Sequence, residues 1–400
     1  MKPSTGTQKI EELLTRGVET VYPSREELRK TLVTGKQLTL YFGIDPTGPT
    51  MHIGHGFTLM KLRQFQDLGH KVILLIGDFT AMIGDPTDKL ATRKQLTRKE
   101  VLANCKEYTK QASAVLDIKK TQVKFNSKWL GKLNFEGVLE HASEMTVQRM
   151  LERDMFQKRM QEGKPIHLHE FFYPLMQGYD SVAMGVDGEI GGNDQTFNML
   201  VGRDMMKRRG KEKFVVATKL LTDPTGAKMG KTEGNMVALS DSAEEMYGKV
   251  MSWPDTLLPL AFEIGTRVPM EEVAHIVSGN PRDAKMRLAR EIVALYHSAA
   301  AAKKAEEVFV KTFQKHEAPS EVQECRMHPP AGGAECRIID VLIACKLASS
   351  KGEARRVIEQ GGVQVDGKVV RDPNAEIKLS KEGVLIQKGK RHFVRVTYGS

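Results

Sequence analysis

Two short runs, far apart in the chain, carry side chains suited to handling phosphate: His52-Ile53-Gly54-His55 and Lys228-Met229-Gly230-Lys231-Thr232. An imidazole can donate hydrogen bonds to phosphate oxygens, and a lysine ammonium is a compact positive charge for the same oxygens. The histidines follow Pro46-Thr47-Gly48-Pro49-Thr50-Met51, where an apolar run gives way to a helical pattern. At such a strand-to-helix junction the unpaired backbone N–H groups and the helix dipole favour an anion. Gly54 lacks the Cβ that would hold a flat ring or a ribose off the backbone. The lysines sit in a loop punctuated by Gly226, Gly230 and Gly234, which suits a mobile clamp on a polyphosphate. Each run also has a plainer reading, as helix-capping histidines or as a solvated lysine loop, and neither run alone decides.

A second set of polar residues is embedded among apolar ones. In Phe171-Phe172-Tyr173-Pro174-Leu175-Met176-Gln177-Gly178-Tyr179-Asp180, Pro174 suits the first turn of a helix. A helix starting there puts Tyr173, Gln177 and Asp180 on one face. A phenol, an amide and a carboxylate on such a face are costly to bury unless they meet a polar ligand or each other; an ordinary half-exposed helix is the alternative. Gly188-Glu189-Ile190-Gly191-Gly192-Asn193-Asp194-Gln195 reads as a glycine-rich turn opening a helix over 196–207, with Asp194 able to accept both hydroxyls of a ribose.

The elements that must position these groups alternate in type. Residues 1–33 read as amphipathic helix broken at Pro23-Ser24, and residues 38–42 as a buried parallel strand. A helical pattern follows, with apolar residues three and four apart (Ile53, Phe57, Met60; Leu59, Leu62, Phe65) and Gly69 at its C-cap. Residues 71–76 are a second strand, running into Gly77-Asp78-Phe79-Thr80-Ala81-Met82-Ile83-Gly84-Asp85-Pro86. Polar residues gathered just beyond strand ends mark the ligand side of an open α/β sheet, so the predicted fold is a Rossmann-like doubly wound parallel sheet. Without a G-x-G-x-x-G run, a nicotinamide or flavin enzyme is not indicated. Residues 97–164, mostly helical and highly charged, read as an insertion between the halves of the sheet.

At 400 residues the chain suggests two or three domains, and 40% hydrophobic residues suffice for real cores. No apolar run has the length of a membrane span, and residues 1–16 lack the apolar stretch of a signal peptide. The four cysteines (Cys105, Cys325, Cys336, Cys345) show no C-x-x-C or metal-ligand spacing, as expected in a reducing cytoplasm without a disulfide framework. A formal charge of +10 suggests a polyanionic partner.

Together, in this order, the His52–His55 and Lys228–Lys231 runs form the paired signature of class I aminoacyl-tRNA synthetases, and the sequence from about Tyr41 to Thr232 closely resembles the bacterial tyrosyl-tRNA synthetases. The resemblance implies a site for tyrosine, with Tyr41 and Asp180 on the phenol, Asp85 with Tyr173 and Gln177 on the ammonium, and Gln195 near the carboxylate. It implies an ATP site of Gly43, Asp45, Gly54, Gly192, Asp194 and Lys231, with Thr47, His52, His55, Lys228 and Lys231 around the phosphates. It also implies Mg²⁺ on the pyrophosphate, tRNA(Tyr) as second substrate, and a homodimer joined through the inserted helices. No dedicated carboxylate cage for a metal shows in the sequence. The chain departs from the pattern at Phe42, where some relatives carry a ribose-contacting thiol, at Gly230, where a serine hydroxyl is common, and at Asn193.

The reaction so implied, attack of a carboxylate on the α-phosphate of ATP, relies on positioning and electrostatic stabilisation, which cations and donors supply without a protein nucleophile. Choosing tyrosine over phenylalanine needs partners for one hydroxyl, and this family is the standard illustration of that principle.

Residues 236–320 read as a helical domain, which by resemblance meets the anticodon side of the tRNA, and 321–336 has the Pro/Gly composition of a linker. Residues 337–400 hold thirteen basic and seven acidic side chains, so most of the chain's excess charge lies there. A helix with Lys351, Arg355 and Arg356 precedes an alternating hairpin around Asp366-Gly367. This small α+β module resembles the RNA-binding domain named for ribosomal protein S4, and shape-and-phosphate recognition of RNA needs such a basic patch. The catalytic domain is thus expected over 1–235. Rival readings are a tryptophanyl-tRNA synthetase, a small nucleotidylyltransferase, which needs neither lysine loop nor RNA module, and a non-catalytic RNA-binding relative.

Overall fold

The computed structural model describes residues 3–85, 96–222, 236–314, 323–327, 335–380, 383–389 and 392–398. The chain divides into two compact units, 1–303 and 304–400.

The first unit is built on six strands: β1 (Val18–Tyr22), β2 (Thr39–Ile44), β3 (Lys71–Ile76), β4 (Thr121–Phe125), β5 (Gly188–Gly192) and β6 (Phe214–Thr218). Their order is β1-β6-β5-β2-β3-β4, with β1 antiparallel and the rest parallel. From β2 the chain winds outward through β3 and β4, and later through β5 and β6 on the other side. The strand order therefore reverses between β2 and β5, and ligands bind at the carboxyl ends of strands at such a point. The expected doubly wound parallel sheet is present. Leu40, Ile73, Leu74, Leu75, Val215 and Val216 form its buried interior, the near-continuous apolar pattern of strands covered on both faces.

Several local expectations are corrected. Residues 1–33 are not helix throughout: helix α1 (Thr7–Thr15) and helix α2 (Arg25–Val33) flank β1, whose Val18 and Val21 are buried against β6. The region 97–164 is mostly helical but contains β4, an edge strand without a long apolar run. The glycine-rich stretch 188–192 is a buried central strand rather than a turn, and the following helix runs Thr196–Arg208. Its glycines fit crowding: a Cβ at Gly191 would lie 2.9 Å from the Met199 sulfur. The helix bearing Tyr173 begins at Leu168 and runs to Met184, so Pro174 is interior. Its start is fixed by a capping box between His167 and Glu170, and the buried Glu170 carboxylate also receives Arg159 at 2.6 and 2.9 Å.

Helices Ala243–Met251, Leu258–Gly265, Met270–Ser278 and Pro281–Tyr296 complete this unit. They seat on its first elements. The Arg16 guanidinium donates to the carbonyls of Phe262, Glu263 and Thr266, and the Tyr296 side chain lies against Gly56 of helix α3 (Ile53–Asp67).

In the second unit, β7 (Gln323–Met327), β8 (Glu335–Arg337), β9 (Val363–Val365), β10 (Lys368–Val370), β11 (Glu376–Lys378), β12 (Val384–Lys388) and β13 (His392–Tyr398) surround helices Ile338–Ala344 and Lys351–Glu359. Five of the strands form one sheet, ordered β10-β9-β12-β13-β7, and β11 pairs with β8. Asp366 and Gly367 both have positive φ (47° and 79°), the turn that the Asp-Gly signal predicts. Within the stretch of linker composition, residues 323–327 pair in parallel with β13. That pairing brings Cys325 to Cys345, and the two form a disulfide, while Cys105 and Cys336 are free. The expectation of no disulfide is corrected here, because a separation of 20 residues carries no signal until the strands pair.

Candidate active site

Residues just beyond the carboxyl ends of β2, β3, β4 and β5 are drawn together by hydrogen bonds, and α3 starts in the loop that follows β2. His52 is the N-cap of α3 and His55 its third residue; their side chains complete a capping box, and the rings stack at 3.7 Å. The plainer reading of this run, histidines that cap the helix, holds, and the same end of the helix carries its unpaired N–H groups. Thr47 lies in the loop between β2 and α3, its N–H bonded to the Asp45 carbonyl at 2.8 Å. Gly54 is close-packed, since a Cβ there would lie 3.0 Å from His52 Nδ1. Lys228 and Lys231 lie outside the described residues. The residues that follow them run beside the histidines, the Ile53 N–H reaching the Val237 carbonyl and the Leu239 N–H the Met51 carbonyl, each at 2.9 Å.

Tyr173, Gln177 and Asp180 share one helix face as predicted, since their spacing holds wherever the helix begins. Each is wired into a network. The Asp180 carboxylate accepts from Trp129 Nε1 at 2.6 Å and from Asn126 Nδ2 at 3.3 Å. Asn126 also donates to Thr80 Oγ1, Thr80 to Asp45 Oδ1 at 2.7 Å, and the Tyr173 hydroxyl to Asp45 Oδ2 at 2.8 Å. Asp45, expected on the nucleotide side, is thereby joined to the Tyr173 side of the site. Burial pushes its carboxyl up to about 7, against the hydrogen bonds from Thr80 and Tyr173. Burial likewise pushes Asp180 well above the usual carboxylate range, and the Tyr41 and Tyr173 phenols well above theirs.

Asp85 accepts from Arg153 at 3.1 Å and from Gln195 at 2.7 Å, and Asn198 donates to Gln195 Oε1 at 3.1 Å. Tyr41 is fully buried in β2 with its hydroxyl 2.9 Å from Ser181 Oγ, next in sequence to Asp180. Gly43 is two residues further along the same strand. Asp194, on the short turn after β5, folds back over Gly192, where a Cβ would come within 2.5 Å of its carboxylate.

The sequence reading missed Thr80, Asn126, Trp129, Arg153, Ser181, Glu189 and Lys213. Asn126 follows β4 directly, so recognising that strand would have made it a candidate by position. A lone lysine or serine gives no comparable signal. In the second unit Lys351, Arg355 and Arg356 are all exposed on one helix.

The carboxyl end of the sheet thus holds the histidine-capped start of α3 together with a buried cluster of phenols and carboxylates. The family model of class I tRNA synthetases for tryptophan and tyrosine matches residues 34–314, and that of the S4 domain matches residues 336–382. The chain belongs to this class I tRNA synthetase family. Among curated relatives, the tyrosine–tRNA ligase of Moorella thermoacetica is 49% identical over 395 residues, covering 96% of this chain and 94% of that protein. That of Thermotoga maritima is 45% identical over 384 residues, 94% of each. Among solved structures, the C-terminally truncated mitochondrial tyrosyl-tRNA synthetase of Coccidioides posadasii aligns with a TM-score of 0.62 at 27% identity, over 75% of this chain and 91% of that one.

Proposed function

We propose that this chain is a tyrosine–tRNA ligase. A carboxylate oxygen of tyrosine attacks the α-phosphorus of ATP, and the bond to pyrophosphate breaks. The terminal ribose hydroxyl of tRNA(Tyr) then attacks the carbonyl of the adenylate and releases AMP. The observation that carries this reading is the cluster of buried polar side chains at the reversal between β2 and β5, where Tyr41 and Asp180 lie buried and Tyr173 and Gln177 share the helix face of Asp180. The start of α3 follows the carboxyl end of β2. Extensive identity to tyrosine–tRNA ligases supports the choice of substrate.

In this reading Tyr41 and Asp180 take the phenol, Asp85, Tyr173 and Gln177 the ammonium, and Gln195 orients the substrate near its carboxylate. Gly43, Asp45, Gly54, Gly192 and Asp194 hold the nucleoside. Thr47, His52 and His55, with Lys228 and Lys231, stabilise charge on the phosphates as the α-phosphorus becomes five-coordinate. Mg²⁺ enters with ATP, on the pyrophosphate. The exposed Lys351, Arg355 and Arg356 offer phosphate contacts for RNA.

The organisation that fits is a catalytic domain over 1–235 with its insertion at 97–164, a helical anticodon-binding domain over 236–320, and an S4-like module over 337–400 whose sheet also draws in 323–327 from the stretch of linker composition. Two chains associate through the insertion and its flank, where Phe135 and Leu168 are 76% and 72% exposed and Leu139, Val147 and Met160 stand open too. The enzyme works in the cytoplasm. No helix among the described residues is long and apolar enough to cross a membrane.

Amino-acid-dependent ATP–pyrophosphate exchange tests the reading, with tyrosine, phenylalanine and tryptophan in parallel. Exchange with tyrosine alone is expected. Exchange with tryptophan would overturn the roles of Tyr41 and Asp180, and silence of the folded protein with all three would overturn catalysis.

A further inference from the structure

Beside this cluster lies a lysine with no place in the chemistry above. Lys213, just before β6, is completely buried. Its tip reaches between two helices, because Gly178 and Gly202 let them approach: a Cβ at Gly202 would lie 2.6 Å from Lys213 Nζ and 3.2 Å from Gly178 Cα. Nζ meets three acceptors: the Glu189 carboxylate, Ser181 Oγ at 2.7 Å and the Met199 carbonyl at 3.1 Å. Three acceptors match the three N–H donors of an ammonium. Burial lowers the lysine's proton affinity, and contact with Glu189 opposes this.

Such a buried ion pair is weak evidence of a stabilising role, because apolar side chains of similar volume often serve as well or better. What distinguishes this one is its connections. Glu189 Oε1 accepts from Gln177 Nε2 at 3.0 Å, and Ser181 Oγ lies 2.9 Å from the Tyr41 hydroxyl. Gln177 and Tyr41 are the groups assigned above to the ammonium and phenol ends of the substrate, and the inference rests on that reading.

We propose that Lys213, Glu189 and Ser181 are positioning residues that set the hydrogen-bond direction of Tyr41 and Gln177, and through them the preference for tyrosine over phenylalanine. The ammonium can only donate, so Ser181 accepts from it and keeps its own hydrogen free for the Tyr41 oxygen. The hydrogen of Tyr41 is then available to the substrate's hydroxyl oxygen. The same ammonium holds Glu189 Oε2 and draws that carboxylate's charge away from the Tyr41 hydroxyl, on which it also bears, while Oε1 fixes the Gln177 amide. Lys213 and Glu189 touch no substrate and act through their neighbours.

The test is ATP–pyrophosphate exchange with tyrosine and with phenylalanine at high concentration, on purified full-length variants whose melting temperatures are recorded. Ser181→Ala is expected to lower kcat/KM for tyrosine about tenfold, mainly through KM, the scale of one misdirected hydrogen bond. Phenylalanine kinetics and the KM for ATP should be unchanged, and Ser181→Thr, which restores a hydroxyl, should recover most of the loss. Lys213→Met should lower the tyrosine-to-phenylalanine ratio further, and adding Glu189→Gln should restore part of it by removing the uncompensated carboxylate. If Lys213→Met fails to fold, Ser181→Ala and Ser181→Thr decide. A folded Ser181→Ala protein with an unchanged ratio overturns the inference. Tyr41→Phe separates the two levels. If it lowers the ratio while Ser181→Ala does not, the pocket assignment stands and only the network's role falls. If Tyr41→Phe also leaves the ratio unchanged, the assignment of the phenol site falls, and the inference with it.

Discussion

Replacing Trp129 by phenylalanine removes one donor from a buried carboxylate of the site. The indole N–H meets Asp180 Oδ1 at 2.6 Å, and Asn126 holds the other oxygen more loosely at 3.3 Å. Burial pushes the Asp180 carboxyl upward, and the hydrogen bond from Trp129 is the largest influence holding it down. Without the indole the carboxyl takes up a proton more readily and becomes a poorer acceptor for the substrate's phenol. A hydrogen bond to a charged group contributes about 1.5–3 kcal/mol, so kcat/KM for tyrosine should fall by roughly 10- to 150-fold. Phenylalanine has no hydroxyl to lose, so its slow exchange should change little, and the ratio of the two should drop by the same factor. The assay is pyrophosphate exchange at saturating ATP, with thermal melting to confirm folding, since Trp129 also packs beside Tyr41 and Ile73. A folded Trp129→Phe protein that discriminates as well as its parent would refute the reasoning that Asp180 is the group facing the phenol.

Three further outcomes are expected. Gly56→Ala places a Cβ 2.1 Å from the Tyr296 hydroxyl, so the contact between α3 and helix Pro281–Tyr296 must open; a loss of about 1–3 kcal/mol in chemical denaturation is expected, and unchanged stability would show that Tyr296 yields freely. His70 is buried with Nδ1 accepting from the Leu38 N–H, and burial lowers its pKa to about 4. The unfolded chain therefore binds this proton first as pH falls, so stability is intact above about 6.5 and declines toward 4 by up to about 3 kcal/mol. Urea unfolding of His70→Gln across that window should show a shallower decline, and parallel curves would contradict it. The proposed dimer should become a monomer by sedimentation when Phe135→Asp is combined with Leu168→Asp, and an unchanged mass would remove the insertion from the interface.

The sequence was informative where chemistry and local backbone preference coincide. The His52–His55 run was legible because a strand-to-helix junction is written in local apolar spacing. The polar face of Tyr173, Gln177 and Asp180 was legible because helical spacing survives an error in the helix start. Pro174 misled as a start signal, since the His167–Glu170 capping box begins the helix six residues earlier, and the buried Arg159–Glu170 pair fixes Glu170. β5 was read as a turn because glycine scores as a breaker, whereas packing against Met199 and Leu40 makes small residues necessary there.

By itself the sequence determined the sheet-based fold of the first unit, the paired histidine and lysine runs and the basic C-terminal module, because each depends on residues near one another in the chain. Only the tertiary structure decided what surrounds those groups. Lys213 reaches Ser181 and Glu189, Trp129 reaches Asp180, Arg153 reaches Asp85, and Cys325 reaches Cys345 only after strands distant in sequence have paired. Hydrogen bonds and ion pairs act over a few ångströms. A partner brought within that range by folding leaves no periodic trace in the order of the residues.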